Sequence, residues 1–120
     1  MRKLKCYVAG KLNDDAVGYI RNMHAMIKTA RMLRSMGCSV YVPCLDILEG
    51  LVDGDFNYSD YFDNSQPWLL SADFVFVCKG WETSTGTKRE IDAAEEHGIP
   101  VYYYIDQLRP DIIKKRIPCT

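Results

Sequence analysis

A glutamate, Glu90, lies where a buried strand pattern gives way to a helical one, and this position can support chemistry on a sugar. The apolar run 74–78 is typical of a buried strand, and residues 80–87 after it are mostly Gly, Ser and Thr. In open parallel sheets, ligands bind at the carboxyl ends of the strands. Backbone N–H groups at a helix start favour an anion such as phosphate. A carboxylate beside such a pocket can attack a sugar carbon, so we expect an enzyme that acts on a nucleoside or nucleotide.

The spacing around Glu90 allows two interpretations. Thr87 and Glu90 are three residues apart, as in a capping box, in which the glutamate accepts a hydrogen bond from the backbone N–H of the capping threonine. The alternative is a nucleophile that forms a covalent glycosyl intermediate, as in retaining glycoside hydrolysis. The spacing alone favours the cap, whereas the position beside a predicted cleft favours the nucleophile.

The residues just before Glu90 are either a plain connecting loop or a cradle for phosphate. Ser84, Gly86 and Thr87 offer hydroxyl and backbone N–H groups of the kind that bind phosphate. No Gly-Lys-Ser or Gly-Lys-Thr follows them, so the segment is not a P-loop. We assign these three residues to substrate binding.

The start of the predicted cleft offers further candidates. Tyr7 lies on the first predicted strand and is either a core residue or a partner of the carboxylate. Gly10 ends that strand, where it allows a ligand to approach the backbone or simply makes the turn. Lys11 beside it is a candidate phosphate ligand or a solvated charge. Trp81 directly follows the third predicted strand and is the candidate for contact with a nucleobase.

Cleavage of a glycosidic bond also calls for a proton donor at the leaving group. The middle of the chain is acidic, and most of its aspartates are expected in turns or on the surface. Among them Asp63 is the best placed for this role, whereas Asp73 fits a turn or a cap. We therefore include Asp63, with Glu90 and Tyr7, in the predicted catalytic group.

Composition restricts the possible partners. The chain has 120 residues and a net charge of −1, which predicts one domain over 1–120 and argues against binding to a nucleic-acid polymer. No apolar run approaches the roughly 18 residues of a membrane span, and the first residues are not typical of a signal peptide. Five cysteines without a Cys-x-x-Cys pair, and two histidines, predict reduced thiols, a cytoplasmic location and no metal site. No organic cofactor is implied.

The order of patterns predicts an α/β fold. Strand patterns alternate with helix patterns, so we expect a flavodoxin-like, three-layer domain with four or five parallel strands in an order starting 2-1-3-4. The first helix carries apolar residues three or four apart, namely Ile20, Met23, Ile27, Ala30, Leu33 and Met36. The predicted strands are 4–9, 39–42, 74–78 and 99–105, and the later helices are 58–71, 87–97 and 111–115. Residues 45–57 fit a loop with one short helix.

Several short segments resemble the nucleoside 2-deoxyribosyltransferase superfamily, and within it small phage and bacterial relatives. The resemblance rests on their order and spacing along residues 5–105. The segments are Tyr-Val-Ala-Gly at 7–10, Met-Gly at 36–37, Val-Tyr-Val-Pro at 40–43, residues 68–73, residues 80–90, Ala94 and Gly-Ile-Pro-Val at 98–101. The transferases carry an aspartate six residues before the glutamate, whereas the hydrolase branch carries a serine there. In this chain that position is Ser84.

The resemblance implies hydrolysis of the N-glycosidic bond of a (deoxy)nucleoside 5′-monophosphate, with Glu90 as nucleophile, Tyr7 as its positioning partner and Ser84 at the phosphate. The alternatives are base exchange between nucleosides and a nucleotide-binding protein without turnover; a purely structural domain is a third. The superfamily's catalytic aspartate corresponds to Ser65, so Asp63 would have to replace it. The resemblance also implies a homodimer or larger homo-oligomer.

A second resemblance concerns the phosphoribohydrolases that cleave cytokinin nucleotides. Gly86, Thr87 and Glu90 reproduce their Gly-Thr-x-x-Glu motif, without the double glycine that normally precedes it. These enzymes cleave the same type of bond.

Overall fold

The structure, a computed structural model, describes residues 3–12, 14–46, 52 and 58–118. Its described strands form one all-parallel sheet in the order β2-β1-β3-β4, as the alternation of patterns predicts. The strands are β1 (Lys5–Ala9), β2 (Ser39–Tyr41), β3 (Phe74–Val77) and β4 (Val101–Tyr102). The α/β class, the three layers and the strand order are thereby confirmed.

Helices cover both faces of this sheet because successive side chains of a strand point to opposite sides. Cys6 and Val8 of β1 pack into a first core with α1 and α4, and Tyr7 and Ala9 pack into a second core with α2 and α3. The α-helices are α1 (Ala16–Ser35), α2 (Tyr58–Leu70), α3 (Thr85–Glu96) and α4 (Ile105–Ile113). Short 3₁₀ turns occupy Pro43–Asp46 and Trp81–Thr83. Among the described helices, none is long and apolar enough to cross a membrane.

The apolar residues that recur three or four apart on α1 are not equally buried. Met26, Ala30 and Leu33 are buried in the first core, whereas Ile20 and Ile27 are 64% and 37% exposed. The apolar residues of this helix occupy two stripes, and only the stripe through Ala30 and Leu33 faces the sheet. In the sequence the two stripes cannot be separated, because residues of both recur three or four positions apart.

The carboxyl-terminal part of the chain differs from its predicted pattern. The fourth strand is limited to Val101–Tyr102, and α4 begins at Ile105, six residues before the predicted start. The apolar run 99–105 resembles a strand throughout, but burial of Leu108 in the first core draws the helix start forward. Pro67 lies inside α2. Most of the predicted loop 45–57 lies outside the described residues.

Candidate functional site

A cavity of about 600 Å³ opens at the carboxyl ends of β1 and β3, where the two central strands of the sheet end. Its volume lies within the range of small-molecule sites. The segment after β1, the start of α3, and the inner faces of α1 and α2 form its walls. The described residues that line it are Gly10, Lys11, Leu12, Tyr19, Met26, Pro43, Tyr61, Phe62, Ser65, Thr83, Ser84, Thr85, Gly86, Thr87, Arg89 and Glu90.

Glu90 is held by a tyrosine from the centre of the sheet. Tyr7 is fully buried on β1, and its hydroxyl donates a hydrogen bond to Oε2 of Glu90 on α3. Burial raises the pKa of Glu90 to about 7, and the hydrogen bond from Tyr7 opposes part of that rise. Burial and the adjacent Glu90 also raise the pKa of Tyr7 well above its usual value. Tyr7 thus holds the carboxyl group of Glu90 in place, and the pKa of this group lies close to neutral pH.

The capping box, one of the two interpretations of the Thr87–Glu90 spacing, is not formed. The N-cap of α3 is Ser84, whose Oγ accepts hydrogen bonds from the backbone N–H of Thr87 at 3.2 Å and from Thr87 Oγ1 at 2.9 Å. Thr87 therefore lies inside the first turn of α3. Glu90 lies about one turn further along the helix, too far from its start to cap it. Because Ser84 caps α3, Glu90 is available to Tyr7 and to the cavity.

The start of α3 gives the cavity an anion-binding character. The first N–H groups of any helix have no partner within the helix and carry a partial positive charge. Thr85 and Gly86 occupy this first turn and line the cavity. Lys11 and Arg89 add two positive side chains to the lining.

Gly10 is closely packed at this end of β1. A Cβ atom added at Gly10 would lie 3.1 Å from Cβ of Cys78 and 3.4 Å from Sδ of Met26. Gly10 also lines the cavity, so the chain passes close to both the third strand and the cavity. A larger residue at this position would therefore require Cys78 or Met26 to shift by a few tenths of an ångström.

Two predicted site residues lie away from the cavity. Asp63 is exposed on α2, because this helix directs Tyr61, Phe62 and Ser65 inward. Trp81 packs against Tyr103, with the ring centroids 5.3 Å apart, in the second core. Neither residue is among the described residues that line the cavity.

Residues that the sequence analysis did not assign to the site complete the walls. Tyr19 comes from α1, and the guanidinium of Arg89 lies 4.2 Å from the ring centroid of Phe62, which joins α3 to α2 across the cavity. Ser65 is buried, and its hydroxyl interacts with Tyr7, lowering the pKa of Tyr7 against the larger effect of burial. Tyr61 and Ser65 are four residues apart on one helix, and this spacing predicts that they share a face of it.

Across the described part of the chain, no group of three or more His, Cys, Asp or Glu side chains is arranged to hold a metal ion.

Comparison with known proteins identifies a family. A family described as a domain of unknown function (DUF4406) matches residues 4–103. No curated protein and no solved structure matches the chain. The matched segment includes every strand of the sheet and the whole of α3, with Glu90.

Proposed function

The chain belongs to the DUF4406 family, and we propose that it hydrolyses the N-glycosidic bond of a (deoxy)nucleoside 5′-monophosphate through Glu90. The observation that carries this proposal is the Tyr7–Glu90 pair at a cavity that also contains a helix start. The resemblance of residues 80–90 to the nucleoside 2-deoxyribosyltransferase superfamily supports the same reaction. Ser84, six residues before Glu90, supports the monophosphate hydrolase branch.

The positive groups of the cavity would hold the phosphate. The first-turn amides of Thr85 and Gly86 provide donors, and Lys11 and Arg89 provide positive charge. Ser84 contributes mainly by capping α3, which keeps those amides in place. This arrangement would orient the sugar with its anomeric carbon toward Glu90.

Glu90 would then act in two steps. Its ionised carboxylate attacks the anomeric carbon, the C1′–N bond breaks, and the base leaves with the bonding electron pair. Water next attacks the resulting glycosyl ester: its hydroxyl group joins the anomeric carbon, its proton goes to the departed base, and the sugar phosphate and free Glu90 are released. Tyr7 fixes the carboxylate during attack and donates a hydrogen bond to it again when it is released.

A second candidate is a nucleotide-binding protein without turnover. Two features favour it. Asp63, the predicted proton donor, is exposed, and the residue of α2 beside Tyr7 is Ser65, which has a hydroxyl group in place of a carboxyl group. Base exchange is a variant of the first reaction, in which a free base rather than water attacks the glycosyl ester. On the same resemblance we propose a homodimer or larger homo-oligomer. The free cysteines among the described residues support a cytoplasmic location, which we also propose.

The test is chromatography of ribo- and deoxyribonucleoside 5′-monophosphates after incubation with the wild type and two variants. Glu90→Gln removes the nucleophile, and Glu96→Gln makes the same change at an exposed position of the same helix. We expect free base from the wild type and from Glu96→Gln, and none from Glu90→Gln. Equal release by all three proteins would refute the role of Glu90. Binding without release would support the second candidate.

A further inference from the structure

A second hydrogen-bonded contact reaches Tyr7 from α2. Ser65 is 5% exposed, and its side chain forms a hydrogen bond with that of Tyr7. Tyr7 has one hydroxyl hydrogen, which it donates to Glu90, so its oxygen is the acceptor in the contact with Ser65. This contact lowers the pKa of Tyr7 in part, which agrees with that direction because a donor stabilises the phenolate. Ser65, Tyr7 and Glu90 thus form a chain of two hydrogen bonds that links α2, β1 and α3.

An acceptor on α2 itself is a poor alternative for the Ser65 hydroxyl group. The carbonyl oxygen of Phe62, three residues earlier, lies 3.4 Å from Oγ of Ser65. Hydrogen bonds between a hydroxyl group and an oxygen are normally about 2.5–3.0 Å long. Because a buried hydroxyl group without a good partner is costly, the bond within the helix does not account for the burial of Ser65. Tyr7 is the better acceptor.

Packing of α2 fixes the position of Ser65. Leu69, four residues further along the helix, is 1% exposed in the second core, which also contains Tyr7. Residues four apart share a helix face, so the face that buries Leu69 also turns Ser65 toward Tyr7. The ring of Tyr7 stacks on that of Tyr41, with the ring centroids 5.6 Å apart. The phenol is therefore held at its ring by Tyr41 and at its hydroxyl group by Ser65 and Glu90.

We propose that Ser65 is a positioning residue that acts through Tyr7: its hydroxyl group donates to the phenol oxygen and directs the hydroxyl hydrogen of Tyr7 onto the carboxyl group of Glu90. Hydrogen bonds in a chain strengthen one another by ~10–30%. The Tyr7–Glu90 bond is therefore stronger with Ser65 in place, and a stronger bond stabilises the ionised carboxylate. The inference rests on the proposed function for its role in catalysis, whereas the ionisation of Glu90 is measurable without turnover.

Nuclear magnetic resonance of the ligand-free protein tests the proposal. Protein labelled with carbon-13 at the glutamate carboxyl groups is titrated with acid and base, and the signal of Glu90 is identified by its absence in Glu90→Gln. We expect a midpoint of about 7 for the wild type. In Ser65→Ala the midpoint should be ~0.2–0.6 pH units higher, because the weaker bond from Tyr7 stabilises the carboxylate less. Alanine is the better helix former, so this variant should fold.

Two further variants are matched controls. Ser65→Thr retains the hydroxyl group and should titrate like the wild type. Ser71→Ala removes an exposed hydroxyl group that donates to the carbonyl oxygen of Trp68, three residues earlier, at 2.9 Å. This is the local bond that Ser65 makes to Phe62, but at a position away from Tyr7. Its loss should leave the midpoint of Glu90 unchanged.

A double variant shows whether Ser65 acts through Tyr7. In Tyr7→Phe there is no phenol oxygen to accept a hydrogen bond from Ser65. Adding Ser65→Ala to Tyr7→Phe should therefore cause no further shift in the midpoint of Glu90. All these proteins share the other charged and titratable side chains that, among the described residues, line the cavity or face Tyr7, namely Lys11, Tyr19, Tyr41, Tyr61 and Arg89.

The outcomes separate this inference from the proposed function. An unchanged midpoint in a folded Ser65→Ala protein would overturn the inference, and so would an equal shift by Ser65→Ala with and without Tyr7. Under the proposed function, the profile of kcat/KM against pH should move in Ser65→Ala as the titration does. A change in KM with an unmoved profile would mean that Ser65 contacts the substrate instead, and would also overturn the inference. Absence of base release from every nucleotide would refute the proposed function, and the titration would still decide the role of Ser65.

Discussion

At the scale of single residues, the function depends on the balance between burial and hydrogen bonding at Glu90. Burial raises its pKa to about 7, and the hydrogen bond from Tyr7 lowers it in part. Near neutral pH the carboxyl group is therefore divided between its protonated and ionised forms. Only the ionised form is a nucleophile.

We expect the rate of base release to rise with pH through a midpoint near 7, as Glu90 ionises. Tyr7→Phe removes the hydrogen bond that lowers the pKa of Glu90, so its midpoint should lie higher and its rate at pH 7 should be lower. The charged groups nearby, Lys11 and Arg89, are the same in both proteins. Profiles of kcat/KM against pH for the wild type and Tyr7→Phe measure this shift. Identical midpoints would show that Tyr7 does not act on the ionisation of Glu90.

At the scale of elements, the start of α3 serves the helix and the ligand at once. Ser84 caps the helix through the N–H of Thr87, while the first turn lines the cavity. The Thr87–Glu90 spacing predicts an N-cap three residues later, at Thr87 instead of Ser84, because a capping box and a Ser-capped helix are both compatible with these residues. Only the contact of Glu90 with a strand that is distant in sequence distinguishes them.

Two substitutions at Ser84 separate capping from ligand binding. Ser84→Ala should lower the unfolding free energy by about 1 kcal/mol, because the cap is lost. Ser84→Asp should retain the cap, since aspartate is also a good N-cap, but should weaken phosphate binding by placing a negative charge beside it. Chemical denaturation and titration with a nucleoside monophosphate measure the two effects. Equal affinities for the wild type and Ser84→Asp would place the phosphate elsewhere.

The two apolar stripes of α1 contribute differently to the free energy of unfolding. Leu33 is fully buried in the first core, so Leu33→Ala should cost about 2–5 kcal/mol of unfolding free energy. Ile20 is 64% exposed, and Ile20→Ala should change stability by less than about 0.5 kcal/mol. Urea denaturation of both variants measures the difference. A large loss at Ile20 would mean that this stripe is covered in solution.

At the scale of the whole molecule, strand order alone brings the two loops of the cavity together. The alternation of strand and helix patterns predicts that order, and with it the position of Gly10, Lys11 and residues 84–87 at one edge of the sheet. The inward direction of α2 was not predictable. It depends on which of its faces packs against the sheet, and the pattern around Asp63 and Pro67 does not specify that face.

Burial of Glu90 also affects the stability of the whole chain. Its folded pKa of about 7 exceeds the ordinary 4.5, so the folded state binds a proton more tightly than the unfolded state. The contribution of Glu90 to the unfolding free energy should therefore fall as the pH rises from about 4.5 to 7. We expect the wild type to lose stability relative to Glu90→Gln between pH 5 and pH 8, and Glu96→Gln to resemble the wild type. Parallel pH dependences in Glu90→Gln and the wild type would contradict this.

The most direct measurement is mass spectrometry of the protein quenched in acid during turnover of a nucleotide that it cleaves. We predict a sugar-phosphate adduct on the peptide that contains Glu90 in the wild type and in Glu96→Gln, and no adduct in Glu90→Gln. Release of base at the wild-type rate by Glu90→Gln, with no adduct on the wild-type peptide, would contradict the role of Glu90 as nucleophile.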